Sequence, residues 1–304
     1  MFRTVSVYRG EKISVRDNWL IVSGETEQRL PIEDLYSVVI DNQETVLTVA
    51  AMTRLTNAGA HVLICDEKHL PSTVILPQSI HYHPLSVIRK QVAMPEEFKD
   101  RLWDEIVRQK IVNQATVLKL CGGKQHRAER LMELADEVSG GDSGNREGIA
   151  ARIFFHELYG FEFVRMYDDA TNAALNYGYT VIRSAVAKTL VAYGYNCVLG
   201  LHHINEANPF NLADDMMEPL RPLVDLWVSD HRDELTEKLT KQQKNELASL
   251  VNAVILWDGK KMRTRNAIDK YISSLTSAMN RLSEKSLRIP TIIRADVYQE
   301  TDDE

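Results

Sequence analysis

Residues 61–84 read HVLICDEKHLPSTVILPQSIHYHP, and the change of pattern across them decides the fold class. His61–Cys65 and Ser72–Leu76 are short apolar runs of buried-strand length, and Pro77 closes the second. From His83-Pro84 onward the apolar spacing turns helical. Working back, short strands are expected at Thr4–Tyr8, Ile13–Val15, Trp19–Ser23, Gln28–Pro31 and Ser37–Ile40, with Asp17-Asn18 as a turn. Thr45–Asn57 carries Val46, Val49, Ala50, Met52 and Leu55 near helical spacing, stopped by Gly59. Working forward, helices are expected at Arg101–Leu120 (ended by Gly122-Gly123), His126–Val138, Asn145–Tyr159, Asp168–Ala192, Asp225–Leu239, Lys244–Trp257 and Thr264–Ser283. Gln299–Glu304 reads as a polar, frayed end. The expectation is an α+β chain: a small β-sandwich-like domain with one helix over residues 1–84, then a larger all-helical domain over 85–304.

Composition narrows the class. The chain has 304 residues, 44% hydrophobic and 26% charged, enough to bury its own core. Cys65, Cys121 and Cys197 are scattered and form no CxxC pair, which excludes a zinc ribbon or disulfide scaffold. The N-terminus lacks the order of a signal peptide, and no apolar run approaches the roughly 18 residues of a membrane span. A soluble, cytoplasmic protein with no membrane partner is expected. No Gly-rich phosphate loop follows a predicted strand and no GxSxG elbow occurs, so Rossmann, P-loop and hydrolase readings lack support.

The net charge of −7 counts against a simple nucleic-acid binder. It averages over uneven stretches, however. Glu105–Arg130 holds six Lys/Arg against two acids, and Asp258–Arg294 nine against three. Ile204–Lys238 reverses this, with three bases against nine acids. Such alternation suits phosphate-gripping surfaces beside a cation site; solvated helix faces are the plainer alternative.

Three places in the helical half can carry chemistry. Asn145 suits an N-cap, which puts Glu147 in the first turn, favoured by the helix dipole and at the edge of the face made by Ala150, Ile153, Phe154 and Leu158. His202 and His203 lie in a loop; adjacent side chains diverge, so one can meet a cation while the other packs. Asp215 and Glu218 are three apart and share a helical face, while Pro219 and Pro222 predict an irregular or restarted turn. Each place also has a structural reading: a helix start, loop histidines, a capping acid. Two or three carboxylates with one imidazole suit Mg²⁺ or Mn²⁺ better than zinc.

The succession NREGIAARIFF, DDATNAALNYGYTVIRSAVAKTL and LGLHHINEANPFNLADDMMEPLRPLVD resembles CRISPR-associated protein one, the CRISPR adaptation integrase and endonuclease. Each piece is weak alone, but the ordered set is specific. The β-rich N-terminus shares the likeness, and MFRTVSV with ICDEKHLPSTVILP resembles the branch associated with type II systems. The resemblance implies Glu147, His203 and Glu218 as catalytic metal ligands for Mg²⁺ or Mn²⁺. It leaves His202 as the alternative histidine and Asp215 as an adjacent or occasional ligand, with Asn172 and Tyr177 supporting the site. Arg221 either approaches phosphate or pairs with Asp225. Lys119, Lys124, Arg127 and Arg130, with Lys260, Lys261, Arg263 and Arg265, are candidate contacts to double-stranded DNA.

The same resemblance implies a homodimer through the N-terminal β domain, with a CRISPR-associated protein two dimer bridging two such dimers. Other type II adaptation proteins are further candidate partners. The implied activity is insertion of prespacer DNA beside the leader of a CRISPR array, by attack of a 3′-OH at repeat ends. A stand-alone metal-dependent nuclease on branched DNA in repair, and a non-enzymatic DNA-binding scaffold, are the alternatives.

Overall fold

The computed structural model describes residues 2–78, 81 and 83–294, so the expected frayed end, Gln299–Glu304, lies outside the described residues. The N-terminal strands are β1 (Arg3–Val7), β2 (Lys12–Arg16), β3 (Trp19–Ser23), β4 (Glu27–Pro31), β5 (Leu35–Ile40), β6 (Val46–Leu47), β7 (His61–Cys65) and β8 (Pro71–Ile75), with helix α1 (Val49–Asn57) between β6 and β7. They form two four-stranded sheets, β1-β5-β7-β8 and β4-β3-β2-β6. In the first, β1, β5 and β7 run parallel and β8 antiparallel. In the second, the β2–β3–β4 meander is antiparallel and β6 joins β2 in parallel.

Every residue of β5 is buried, as expected of a strand covered on both faces. Leu35, Val38 and Ile40 join the core between the sheets with Ile13, Leu20, Leu55 and Val62. Tyr36 and Val39, with Leu63 and Cys65 of β7, belong instead to the core shared with the helices. One sheet thus serves two cores.

The helical part contains α2 (Pro84–Val92), α3 (Glu96–Leu120), α4 (Gln125–Asp136), α5 (Arg146–Tyr159), α6 (Ala170–Ala192), α7 (Asn211–Met217), α8 (Arg221–Asp230), α9 (Lys241–Ala248) and α10 (Thr264–Arg281). Two long helices organise it. α3 packs against α4, α5, α8 and the turn at 218–220, while α6 packs against α7, α8, α9 and α10 and also touches β7 and β8. Gly178 is what lets α6 and α8 approach: a Cβ there would lie 2.4 Å from Val224 Cγ1. Among the described residues no helix is long and apolar enough to cross a membrane.

The C-terminal part is not wholly helical, contrary to the sequence expectation. The helix expected over Lys244–Trp257 ends at Ala248, a 3-10 turn covers Ser249–Asn252, and Val254–Trp257 is strand β9. β9 pairs antiparallel with β10 (Lys260–Arg263) around Asp258-Gly259, at φ 49° and 74°. Two central residues at positive φ make the primed hairpin turn that Asp-Gly favours. Smaller differences arise at helix ends. α3 begins at Glu96, just after Pro95, with two acids in its first turn. α8 stops at Asp230, short of Leu239.

Candidate active site

Glu147 stands in the first turn of α5 because the preceding loop is tightly specified. Asn145 takes the left-handed conformation at φ 49°, and its side chain accepts from Gly148 N. The Asp142 carboxylate accepts from the backbone N–H of Arg146 at 2.8 Å and of Glu147 at 3.0 Å. Asp142 N in turn donates to Asp104 on α3 at 3.0 Å. The orphan N–H groups of the helix start are thereby satisfied, and the Glu147 carboxylate is left free to face α3.

Glu218 sits where α7 passes through a 3-10 turn, Glu218–Leu220, into α8. This is the restart expected from Pro219 and Pro222. Asn113 of α3 holds the turn by donating to Pro219 O at 2.7 Å. The Glu218 side chain is 4% exposed, yet its carboxyl group is held down at about 2. Burial alone would raise it; the Arg221 guanidinium, at 2.7 Å through Nε, and the Lys110 ammonium more than offset that cost.

Asp215 organises the histidine loop. Fully buried, it accepts from the backbone N–H of Leu201 at 2.6 Å, His202 at 3.2 Å and His203 at 3.1 Å. His203 Nδ1 lies 2.6 Å from Asp215 Oδ1, and this contact raises the histidine above its ordinary range. In the neutral imidazole, donation of Nδ1–H to Asp215 leaves the lone pair on Nε2. The loop needs Gly200, since a Cβ there would stand 2.2 Å from His203 O and 2.9 Å from Asp215 Oδ2. Trp103 of α3 meets both histidines, differently: His202 stacks on its face at 4.3 Å and 3°, and His203 meets it edge-on at 5.8 Å.

Two of the three places, those of Glu147 and Glu218, converge on a residue that sequence spacing did not single out. Lys110 Nζ lies 2.5 Å from Glu147 Oε1 and 2.5 Å from Glu218 Oε2. The signal for it was a lysine inside the apolar stripe of α3, with Ile106, Val107 and Ile111 as buried neighbours. Among the described residues no three His, Cys, Asp or Glu side chains stand together as a group able to hold a metal ion. Two features nonetheless fit a divalent cation. Both carboxylates point at one cationic atom, and Glu218 Oε2 is buried without a hydrogen-bond donor of proper geometry. Carboxylate oxygens are hard donors, which suit Mg²⁺ or Mn²⁺.

A family model described as CRISPR associated protein Cas1 matches residues 6–253. The chain belongs to the Cas1 family. A CRISPR-associated endonuclease Cas1 of Neisseria meningitidis serogroup C is 40% identical over 301 residues, 98% of this chain and 99% of that protein. Among solved structures, a casposase bound to integration product superposes with TM-score 0.74 at 18% identity, covering 91% of this chain and 90% of its own. A Cas6-RT-Cas1–Cas2 complex gives TM-score 0.73 at 18% identity, covering 96% of this chain and 36% of that one. The α+β architecture is therefore that of Cas1 and casposase structures.

Within this Cas1 fold the remaining expected residues take distinct places. Asn172, near the start of α6, donates to Val164 O at 3.0 Å and accepts from Arg165 at 2.9 Å. The Tyr177 hydroxyl is buried and, among the described residues, has no hydrogen-bond partner; its charged neighbours include Asp41 of the β-rich part. Tyr179, two residues on, is the α6 hydroxyl beside the carboxylate segment. It donates to Asp225 Oδ1 at 2.5 Å, and its ring lies 4.7 Å from the Arg221 guanidinium. Arg221 pairs with Glu218, so Tyr179 takes the place beside Asp225 that Arg221 was a candidate for.

The candidate DNA contacts of this Cas1 divide into two groups. Arg127 and Arg130 already face Glu157, Glu133 and Glu137, and Arg265 donates to Asn252. Lys119, Lys124, Lys260, Lys261 and Arg263 are exposed and, among the described residues, make no ion pair. The last three stand on the hairpin that the helical reading missed.

Proposed function

We propose that this Cas1 is a divalent-metal-dependent DNA integrase and endonuclease that inserts prespacer DNA into a CRISPR array, in the branch associated with type II systems. One observation carries the reading: Glu147 and Glu218, brought in by separate elements, each lie 2.5 Å from the same cationic atom. Glu147, Glu218 and His203 would hold Mg²⁺ or Mn²⁺. Such an ion, when bound, stabilises charge on phosphodiester oxygens and favours ionisation of an attacking hydroxyl.

The reaction is a transesterification. The prespacer 3′ oxygen forms a bond to phosphorus at the repeat end, and the bond from that phosphorus to the repeat's own 3′ oxygen breaks. The attacking hydroxyl gives up a proton and the departing oxygen gains one. One phosphodiester replaces another, so no nucleotide need be hydrolysed. The protein's tasks are positioning and charge placement. Asp215 fixes the imidazole through Nδ1, and Arg221, tied to Glu218 and the Tyr179 ring, supplies a stationary positive charge.

The substrates are double-stranded prespacer and repeat DNA, gripped through phosphates by the exposed lysines and arginines, so binding weakens steeply with salt. The assembly is a homodimer through the β-rich part, with a Cas2 dimer bridging two such pairs. Family membership, and structural likeness to a Cas1–Cas2 complex and to a casposase bound to integration product, support this reading. The test is strand joining of labelled prespacer into repeat DNA with Cas2 and Mn²⁺. Glu147→Ala should cut joining at least ~100-fold, the upper end of what loss of a supporting group costs. Duplex binding should stay within about twofold. Joining that survives this change would refute the site.

A further inference from the structure

Among the described residues, Lys110 is the only group paired with both acidic arms of the site, and it reaches them from a third element. Its ammonium leaves α3, Glu147 stands on α5, and Glu218 lies in the turn before α8. The lysine is 8% exposed and Glu218 3%. Such burial is tolerable only with close pairing, because an uncompensated buried charge is strongly destabilising. Glu218 therefore needs a cation, and Lys110 supplies one that it shares with Glu147, whose side chain is 27% exposed.

Formal charge then restricts what else can enter. Glu147 and Glu218 contribute two negative charges; Lys110 and Arg221 contribute two positive ones. The cluster is already neutral. A divalent ion added beside Lys110 would leave it at plus two in a largely buried setting. Arg221 is fixed by Glu218 and lies over the Tyr179 ring. Lys110 is a compact charge on a flexible four-carbon stem, able to withdraw while its helix stays in place.

We infer that Lys110 is a resident counter-ion of the Glu147–Glu218 pair, which holds the two carboxylates together and must be displaced when a divalent ion binds. Lys110 is thus a positioning residue that lowers apparent metal affinity. The inference rests on the metal-site reading above. It commits the lysine to competing with the ion rather than assisting its entry.

The experiment compares the full-length protein with Lys110→Met, which keeps the stem and removes the charge, and with Lys110→Gln in case the first variant folds poorly. Mn²⁺ binding is measured by titration calorimetry, and thermal unfolding is followed in chelator and in excess Mn²⁺. Lys110→Met should bind Mn²⁺ at least tenfold more tightly than the unsubstituted protein. It should also melt lower in chelator and gain more from Mn²⁺, since an ion that binds only the folded state stabilises it by mass action. Mn²⁺ affinity equal to or weaker than that of the unsubstituted protein, in both variants, would overturn the inference while leaving the metal site standing. Absence of Mn²⁺ binding in every form would overturn the metal site itself and the inference with it.

Discussion

Asp225 is a buried carboxyl group that, among the described residues, has no ion-pair partner. Burial pushes it up to about 7, although the Tyr179 hydroxyl donates to it at 2.5 Å and favours the ionised form. The folded chain therefore holds this proton up to about pH 7, whereas the unfolded chain releases it near the ordinary value of about 3.9. Between those limits the folded state binds more protons. The stability tied to this proton is whole below about pH 4 and is lost as pH rises to about 7. At ~1.4 kcal/mol per pH unit, the loss is on the order of 4 kcal/mol. Asp225→Asn, which can still accept from Tyr179, removes that slope. Urea midpoints measured from pH 4.5 to 8 should show the variant gaining on the unsubstituted protein as pH rises; parallel curves would refute this. The residue scale also separates what was readable from what was not. The place of Glu147 in a first helical turn was legible because an Asn and a Glu two apart mark a helix start locally. His202 and His203 could not be told apart, because the ring that they meet differently, Trp103, comes from a helix about a hundred residues earlier. Lys110 was hidden for the same reason: its partners are 37 and 108 residues away.

At the element scale, caps and breakers were the readable signals. Asn145, Pro219 and Pro222 marked the elements that carry Glu147 and Glu218. The hairpin failed that reading because Leu247, Leu250, Val251, Val254 and Ile255 repeat at helical intervals, and the Asp258-Gly259 turn overrides them. The crossing of α6 over α8 is also an element-scale fact. A Cβ at position 178 would meet Val224 Cγ1 at 2.4 Å and Leu247 Cδ2 at 3.2 Å, and both residues are fully buried. Gly178→Ala should therefore destabilise by roughly 1–3 kcal/mol through overpacking, despite alanine's better helix propensity. Val224→Ala makes a cavity on its own but room for the new methyl in combination. The double variant should lose clearly less than the two single losses combined. Denaturant unfolding of the four proteins measures the coupling, and strict additivity would show that the helices do not meet through this glycine.

At the scale of the whole molecule, the order of a β-rich part before a helical part was legible from the change of pattern near Pro84. How the two are joined was not, because part of the join is an ion pair between residues 203 apart in the chain. Asp41, directly after β5, points its nearly inaccessible carboxylate at Lys244 Nζ of α9 at 2.7 Å. His69 Nδ1 approaches the other oxygen at 2.8 Å. Nearby, the Tyr8 hydroxyl donates to Asn245 at 2.7 Å. This polar clasp adds to the apolar contact that Tyr36, Val39, Leu63 and Cys65 make with the helices. Its cost is asymmetric, because a buried pair can be nearly neutral overall while either half alone is expensive. Lys244→Met strands the Asp41 carboxylate with one largely exposed imidazole and should cost roughly 3–5 kcal/mol. Adding Asp41→Asn removes the stranded charge and should recover most of that loss. Thermal and urea unfolding of the single and double variants decide the matter. A Lys244→Met loss under about 1 kcal/mol, the range of a surface pair, would mean that the two parts are held by their apolar contact alone.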